Sequence, residues 1–320
     1  MVNAMDLLDR LLNLGAIDGY LDVRCEMRGD WVLDNERPGL REMPFHVLLE
    51  GGASIEGHGL PPITLQAGDV LLLPSALPHR ILDRPALAGK GGVGREEPEG
   101  RAIPAASTTL LCGRIVLTQA VWRLCQALLP PCVVIRARPE MDGPAESRLG
   151  RVLALMREET EGPLPGSTAV LRHLSAALFG LALRAAASAS EPPPGMLALS
   201  AHPRLRELAL QIMAQPGSSW TLEAMASIAN MSRSTLIRNF VAVAGIAPAE
   251  FVTRLRMAEA GRLLRDSELS VATVGEAVGY ASEAAFQRAF KRDTGFTPAA
   301  WRAMPQPVPV PQAVKRISSG

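Results

Sequence analysis

The sequence has almost no excess charge of one sign. Its 33 Lys and Arg meet 32 Asp and Glu, a net +1 that marks neither a polyanion nor a membrane surface as a partner of the whole chain. Cysteine is scarce: Cys25, Cys112, Cys125 and Cys132 are too few for a disulfide scaffold in 320 residues, and no two form a C-x-x-C pair. Reduced thiols in a cytoplasmic protein are expected. No apolar run of about 18 residues is free of charge and proline. The nearest, Ala169 to Ala187, is broken by Arg172, His173 and Arg184, so no membrane span is expected. Asp6 and Asp9 flank the first Leu run, an arrangement unlike a secretion signal.

What is present suits folded domains. At 48% hydrophobic and 20% charged, the chain can bury real cores, and its length fits about two of them. The charge is unevenly shared. Residues 200–320 hold 14 Lys and Arg against 9 Asp and Glu, and the preceding residues hold 19 against 23. The basic part is where a polyanion would bind.

Composition divides the chain. Short apolar runs separated by Gly and Pro fill residues 1–137: FHVLLEGGASIEG (45–57), ITLQAGDVLLLP (63–74), TTLLCGRIVL (108–117) and CVVIRA (132–137). These predict strands, and the Gly-, Pro- and charge-rich segment 85–107 predicts a mobile loop inserted among them. Over 138–187 the period becomes helical. Leu149, Val152, Leu153 and Met156 share one apolar face, and Val170, Leu171, Leu174, Leu178, Leu181 and Ala182 share another. Such faces seek cover, either from this chain's own sheet or from a second copy in a homodimer. A Pro-rich linker is expected over 188–200, helices throughout 201–303, and a disordered or extended tail over 304–320.

The sharpest signal is an internal repeat. Ser232, Leu236, Arg238, Phe240, Gly245 and Pro248 recur fifty residues on as Ser282, Phe286, Arg288, Phe290, Gly295 and Pro298. Each unit reads as a short helix, a tight turn, and a second helix capped by Ser232 or Ser282. In the second helices Leu236 and Phe240, or Phe286 and Phe290, point inward, leaving a basic outer face. That is a helix-turn-helix pattern, although a plain helical bundle shares part of it. Pro248 opens a connecting helix to about Arg265. At 1.5 Å per residue it spans about 27 Å, a strut able to place two reading helices in successive major grooves about 34 Å apart. It carries Arg254, Arg256, Arg262 and Arg265, which would meet DNA or simply line a solvated face.

Residues 220–302 resemble the DNA-binding domain of the AraC/XylS transcription regulators, most closely in VGEAVGYASEAAFQRAFKRDTGFTPAAWR (274–302). The resemblance implies two helix-turn-helix units on double-stranded promoter DNA, with RNA polymerase as a further partner. It places the base-reading positions at Ser234, Ile237 and Arg238, and at Glu283, Ala284, Ala285, Gln287 and Arg288. Arg238 and Arg288 suit guanine or phosphate and Gln287 suits adenine. Ala284 and Ala285 offer at most contact with a thymine methyl, so the second helix would specify less or read shape. Leu236, Phe240, Phe286, Phe290 and Trp301 would be core.

In the N-terminal part, GDVLLLPSALPH (68–79) has the spacing Gly-x5-Pro-x4-His and resembles the second cupin motif, with Ala76 where a Gly is usual. The first motif is missing. His46 and His79, and His58 more remotely, are the imidazole candidates for a metal that needs three or four ligands, so no cofactor is required. The segments 5–31, 44–56, 71–80, 110–113 and 201–236 resemble AraC-type activators with an N-terminal cupin-like domain, including reactive-chlorine-responsive ones. Cys25, before the first expected strand, and Cys112, within a strand, suit a thiol sensor, and Arg24 and Arg114 would lower their pKa values. Cys125 and Cys132 fit buried packing.

The expected architecture is α+β: a cupin-like β-barrel with helices, then an all-α domain of two helix-turn-helix units. The expected function is a cytoplasmic, dimeric, sequence-specific transcription regulator that activates in response to an oxidant or small-molecule effector. A cupin-type metalloenzyme fused to a helical domain is the alternative from another class. A constitutive nucleoid-type binder is a third reading.

Overall fold

The computed structural model describes residues 5–36, 39, 41–83, 107–136, 148–304 and 314–318. The loop expected at 85–107 lies outside the described residues apart from Ser107. Two compact units emerge. One comprises 1–17, 117–130 and 183–310, and the other 18–116, 131–182 and 311–320.

The second of these is built on two sheets. Strands β1 (Ile17–Met27), β3 (Glu42–Glu50), β6 (Val70–Leu72), β8 (Thr108–Leu117), β9 (Val133–Ile135) and β10 (Lys315–Ser318) form six strands in the order β10-β1-β8-β3-β6-β9. Strands β2 (Val32–Asn35), β4 (Gly52–Glu56), β5 (Ile63–Gln66) and β7 (His79–Asp83) form a four-stranded sheet in the order β2-β7-β4-β5. Alternation sends Leu48, Leu71, Leu110 and Met27 of one sheet against Ala53, Ile55, Leu65 and Ile81 of the other, the sandwiched core that period-2 patterning predicts. Gly68 (φ +88°) permits the tight β5–β6 turn, where Asp69 Oδ2 accepts from Gln66 N at 2.9 Å. Ala76 adopts φ +51°, a left-handed conformation that explains why the related motif carries Gly there.

Helices α3 (Arg148–Glu161) and α4 (Ser167–Ala187) follow. By length and composition α4 is long and apolar enough to cross a membrane, more so than its three charged or polar interruptions suggested. Its inner face is nevertheless spent within the chain: Leu171, Ser175, Leu178, Phe179 and Ala182 are buried, and a Cβ on Gly19 of β1 would lie 2.4 Å from Ser175 Cβ. Leu153 and Met156 of α3 are buried too. The chain's own fold therefore covers half of each expected apolar face. Leu155 and Val170 remain exposed.

The other unit is helical: α1 (Leu7–Leu12), α2 (Gln119–Leu128), α5 (Met196–Ala201), α6 (Leu205–Ala214), α7 (Leu222–Ile228), α8 (Arg233–Ala244), α9 (Pro248–Asp266), α10 (Val271–Ala277), α11 (Glu283–Thr294) and α12 (Pro298–Ala303). Around α9 pack Phe286, Phe290, Trp301, Val274 and Val278, a wholly apolar cluster. Trp301 Nε1 donates to Gly261 O at 3.0 Å, which satisfies the one polar atom of a buried indole.

Three boundaries differ from those composition suggested. Residues 1–17 and 117–130, expected within a sensor domain of 1–137, cluster with the helical unit. The linker expected over 188–200 includes the start of α5, with Met196, Leu197 and Leu199 buried, because its last residues are apolar at helical spacing. The tail is not disordered over Lys315–Ser318. It forms β10, parallel to β1, with Val23 opposite Lys315 and Cys25 opposite Ile317.

Candidate DNA-reading face and buried thiol pair

Each reading helix begins at a serine. Ser232 and Ser282 have extended backbones, and their side chains accept from Thr235 N and Ala285 N. That cap satisfies one of the N–H groups a helix start leaves open. Each helix ends at a glycine in the left-handed conformation, Gly245 (φ +74°) and Gly295 (φ +81°). Between these ends Leu236 and Phe240, and Phe286 and Phe290, are fully buried. Helical geometry then leaves Ser234, Ile237 and Arg238 exposed on α8, and Glu283, Ala284, Gln287 and Arg288 exposed on α11, with Ala285 half-buried. Every expected base-reading position except Ala285 faces solvent.

Two features of this face were not visible beforehand. Gln287 Nε2 donates to Glu283 Oε1 at 2.8 Å, which couples two of the expected base-reading side chains. The turns also differ in length. Helices α7 and α10 start at Leu222 and Val271, forty-nine residues apart, whereas α8 and α11 start at Arg233 and Glu283, fifty apart. Asn230 (φ +52°) and Gly279 (φ +84°) take the equivalent left-handed place, and Ala281 is the extra residue before the second cap.

The connector's arginines are engaged within the unit. Arg254 pairs with Glu250 at 2.6 Å and Arg262 with Glu259 at 2.7 Å. Arg256 donates to Pro216 O and Ser218 O, both at 2.8 Å, and Arg265 lies over the Trp301 ring at 5.1 Å. The strut is held by its cations more than it displays them.

In the sheet unit, register brings distant residues into one row. Cys112 of β8 lies opposite His46 of β3, which lies opposite Leu71 of β6. Cys25 of neighbouring β1 joins Cys112 in the same core cluster. The Cys112 thiol holds the Cys25 thiol below its ordinary pKa, because an S–H beside it stabilises a Cys25 thiolate. The neighbouring Cys25, with burial, holds Cys112 well above its ordinary value. Arg24 and Arg114, expected to assist, are engaged elsewhere: Arg24 projects from the face of β1 opposite Cys25, and Arg114, although it shares a face of β8 with Cys112, is taken up by carboxylates. Arg24 engages Glu26, Thr160 and Glu161, and Arg114 engages Asp22 and Glu42. Cys25 is buried and Cys112 is half-buried. Burial alone pushes Cys125 up to about 12 and also raises Cys132.

His46 and His79 meet across the core, Nε2 to Nε2 at 2.7 Å. His79 Nδ1 donates to the Leu77 carbonyl at 2.9 Å, so its Nε2 is the acceptor and His46 Nε2 the donor. Both rings are thus neutral, as burial requires, and His46 is pushed down to about 3. His58 is exposed and does not join them. Among the described residues no group of three His, Cys, Asp or Glu is placed to hold a metal ion. Two imidazoles fall short of the three or four ligands a metal site needs. Asp34, Asn35, Glu56, His58, His79 and Arg80 border an open cavity of about 680 Å³.

Comparison with known proteins agrees with both halves. Residues 6–188 match the Cupin family model, and 225–304 match a Helix-turn-helix domain model. The chain is 31% identical over 298 residues to the RCS-specific HTH-type transcriptional activator RclR of Escherichia coli, covering 93% of this chain and 97% of the relative. It is 31% identical over 308 residues to a putative AraC-like transcription regulator of Streptomyces lividans, covering 94% and 99%. It is 27% identical over 310 residues to the HTH-type transcriptional regulator MtrA of Neisseria gonorrhoeae, covering 93% and 98%. With a cupin sheet in front and a duplicated, serine-capped reading helix behind, the chain belongs to the AraC family of DNA-binding transcription regulators.

Proposed function

We propose that this regulator is switched by oxidation of Cys25 and Cys112. The observation that carries the reading is the placement of Cys25 and Cys112 on neighbouring strands β1 and β8 within one core cluster, where Cys112 holds the Cys25 thiol below its ordinary pKa and can act as its resolving partner. Hypochlorous acid is the oxidant in mind, since one relative is named RCS-specific. The Cys25 thiolate attacks chlorine, forming an S–Cl bond and releasing hydroxide. Cys112 sulfur then displaces chloride to give the disulfide, and its proton neutralises the hydroxide. Cys112, half-buried, sits on the more accessible side of the pair.

The rest of the reading follows from the faces left open. Ser234, Ile237 and Arg238 on α8, and Glu283, Ala284, Ala285, Gln287 and Arg288 on α11, meet base edges or phosphates in the major groove. Leu155 and Val170, exposed on α3 and α4, are the seam of a homodimer. The dimer activates transcription in the cytoplasm together with RNA polymerase, and no catalysis by this chain is required. The cavity beside His79 favours a second reading, in which a small organic effector replaces the oxidant. His46 and His79 serve there as a neutral hydrogen-bonded pair, with no metal.

Peptide mass mapping of the reduced chain after one equivalent of hypochlorite tests the thiol reading. A Cys25–Cys112 disulfide, reversed by dithiothreitol, with Cys125 and Cys132 unmodified, is expected. Oxidation that begins at Cys132, or leaves Cys25 and Cys112 as free thiols, would overturn it and direct the search to the cavity.

A further inference from the structure

We propose that α2 positions both reading helices at once, and that Arg123 is the residue through which it sets α11. In sequence α2 follows a strand of the cupin region, yet it packs in the helical unit with Ala120, Val121, Trp122, Leu124, Cys125 and Leu128 buried. Arg123 is the only charged residue in QAVWRLCQAL. Its Nη2 donates both to the Asp293 main-chain carbonyl and, at 2.9 Å, to Asp293 Oδ2. Asp293 lies in the last turn of α11. There the carbonyls lack helical partners and the negative end of the dipole opposes a carboxylate. One guanidinium answers both deficits.

The other end of α2 abuts Gly195, which in turn holds α8. A Cβ on Gly195 would lie 2.1 Å from Leu128 O, the last residue of α2, so the two backbones are in direct contact. Gly195 takes φ +110°, and its N–H donates to Val243 O at 2.9 Å. Val243 and Asp293 are fifty residues apart, the offset of the repeat itself. The same carbonyl of each reading helix is therefore held by α2 or by the residue it abuts. A cavity of about 200 Å³ bordered by Arg123, Gln126, Arg254 and Asp293 leaves this clasp room to shift. Moving α2 changes the spacing of the two reading helices, and with it their fit to successive grooves.

Thr118 alone separates α2 from β8, the strand that carries Cys112. That continuity makes α2 the route from the thiols to the DNA-reading face. This regulatory half rests on the thiol switch proposed above.

The test uses the full reduced chain and a duplex selected from a randomised library by the unmutated chain. Hydroxyl-radical footprinting of Arg123→Met should show protection lost over the α11 tract and kept over the α8 tract, with affinity down about tenfold. Arg123→Lys, which keeps a donor, should recover part of both. Gly195→Ala should produce the mirror footprint, losing the α8 tract. Uniform loss of both tracts in both variants, or unchanged footprints, would overturn the positioning role. Affinity is then remeasured after hypochlorite, with the disulfide scored by peptide mapping on the same sample. Arg123→Met should form the disulfide yet lose the oxidation-dependent change in binding. A wild-type response in that variant overturns the route through α2. A wild-type chain that forms no disulfide refutes the thiol switch instead, and leaves the positioning role to stand on the reduced footprints.

Discussion

The two units keep their chemistry in opposite places. In the helical unit the interior is apolar, with Phe286, Phe290 and Trp301 at its centre, and the polar side chains that matter are on the outside. In the sheet unit two imidazoles and Cys25 are buried in the core, with the half-buried Cys112 beside them. A surface that reads DNA must be displayed, and a rigid core displays it. A sensor of small reactive molecules needs groups whose proton affinities are altered, which only a low-dielectric interior achieves. The first unit should accordingly be vulnerable to loss of volume, and the second to protons and oxidants.

The largest expected effect probes the helical core. Trp301→Ala removes an indole that meets Phe290 edge-on at 5.4 Å and should cost about 3–5 kcal/mol in urea unfolding. It should leave the reactivity of Cys25 unchanged. Arg238→Ala, by contrast, should leave stability within about 0.5 kcal/mol, because the side chain is exposed. It should weaken duplex binding by about 1–3 kcal/mol and relax base choice at one position, as read by competition binding. Unchanged selectivity would remove Arg238 from the interface.

Acid should act on the sheet unit. His46 is held near 3 when folded, against an ordinary value of about 6.5, so between these values the unfolded chain binds more protons. Stability from this group is complete above about pH 6.5 and falls as pH drops below it, by about 2 kcal/mol at pH 5. Urea midpoints at pH 7, 6 and 5 measure the slope, and His46→Leu should flatten it. The smallest effect is local. Ser282→Ala removes the side-chain cap of α11 and should cost about 1 kcal/mol, with a matching loss for Ser232→Ala on α8.

The same contrast explains how much was legible beforehand. The helix-turn-helix units are built from near neighbours in sequence: a Ser cap, inward residues four apart, a left-handed Gly, a Pro at the next helix start. Such signals repeat, and the fifty-residue offset exposed them. What the offset hid was Ala281, one extra residue in the second turn, because only the flanking helices show the change of step. In the sheet unit the decisive contacts join residues far apart along the chain. Cys112 meets His46, and Cys25 meets Cys112, only through strand register, for which the sequence carries no local mark. Spacing could nominate both cysteines and both histidines but could not pair them. Arg24 and Arg114 misled for different reasons: Arg24, adjacent to Cys25, projects from the opposite face of its strand, whereas Arg114, two residues from Cys112, is taken up by Asp22 and Glu42. The fate of α2 was the least visible, since its apolar pattern fits a helix packed against either unit.

If Cys25 and Cys112 control the exposed face of α8 and α11, oxidation must change DNA binding. Affinity for a selected duplex is measured on one preparation as reduced, after one equivalent of hypochlorite, and after dithiothreitol. A change of tenfold or more is expected on oxidation, restored by the reductant and absent in Cys25→Ser and Cys112→Ser. Identical affinity in all three states, with the disulfide present in the second, would contradict it.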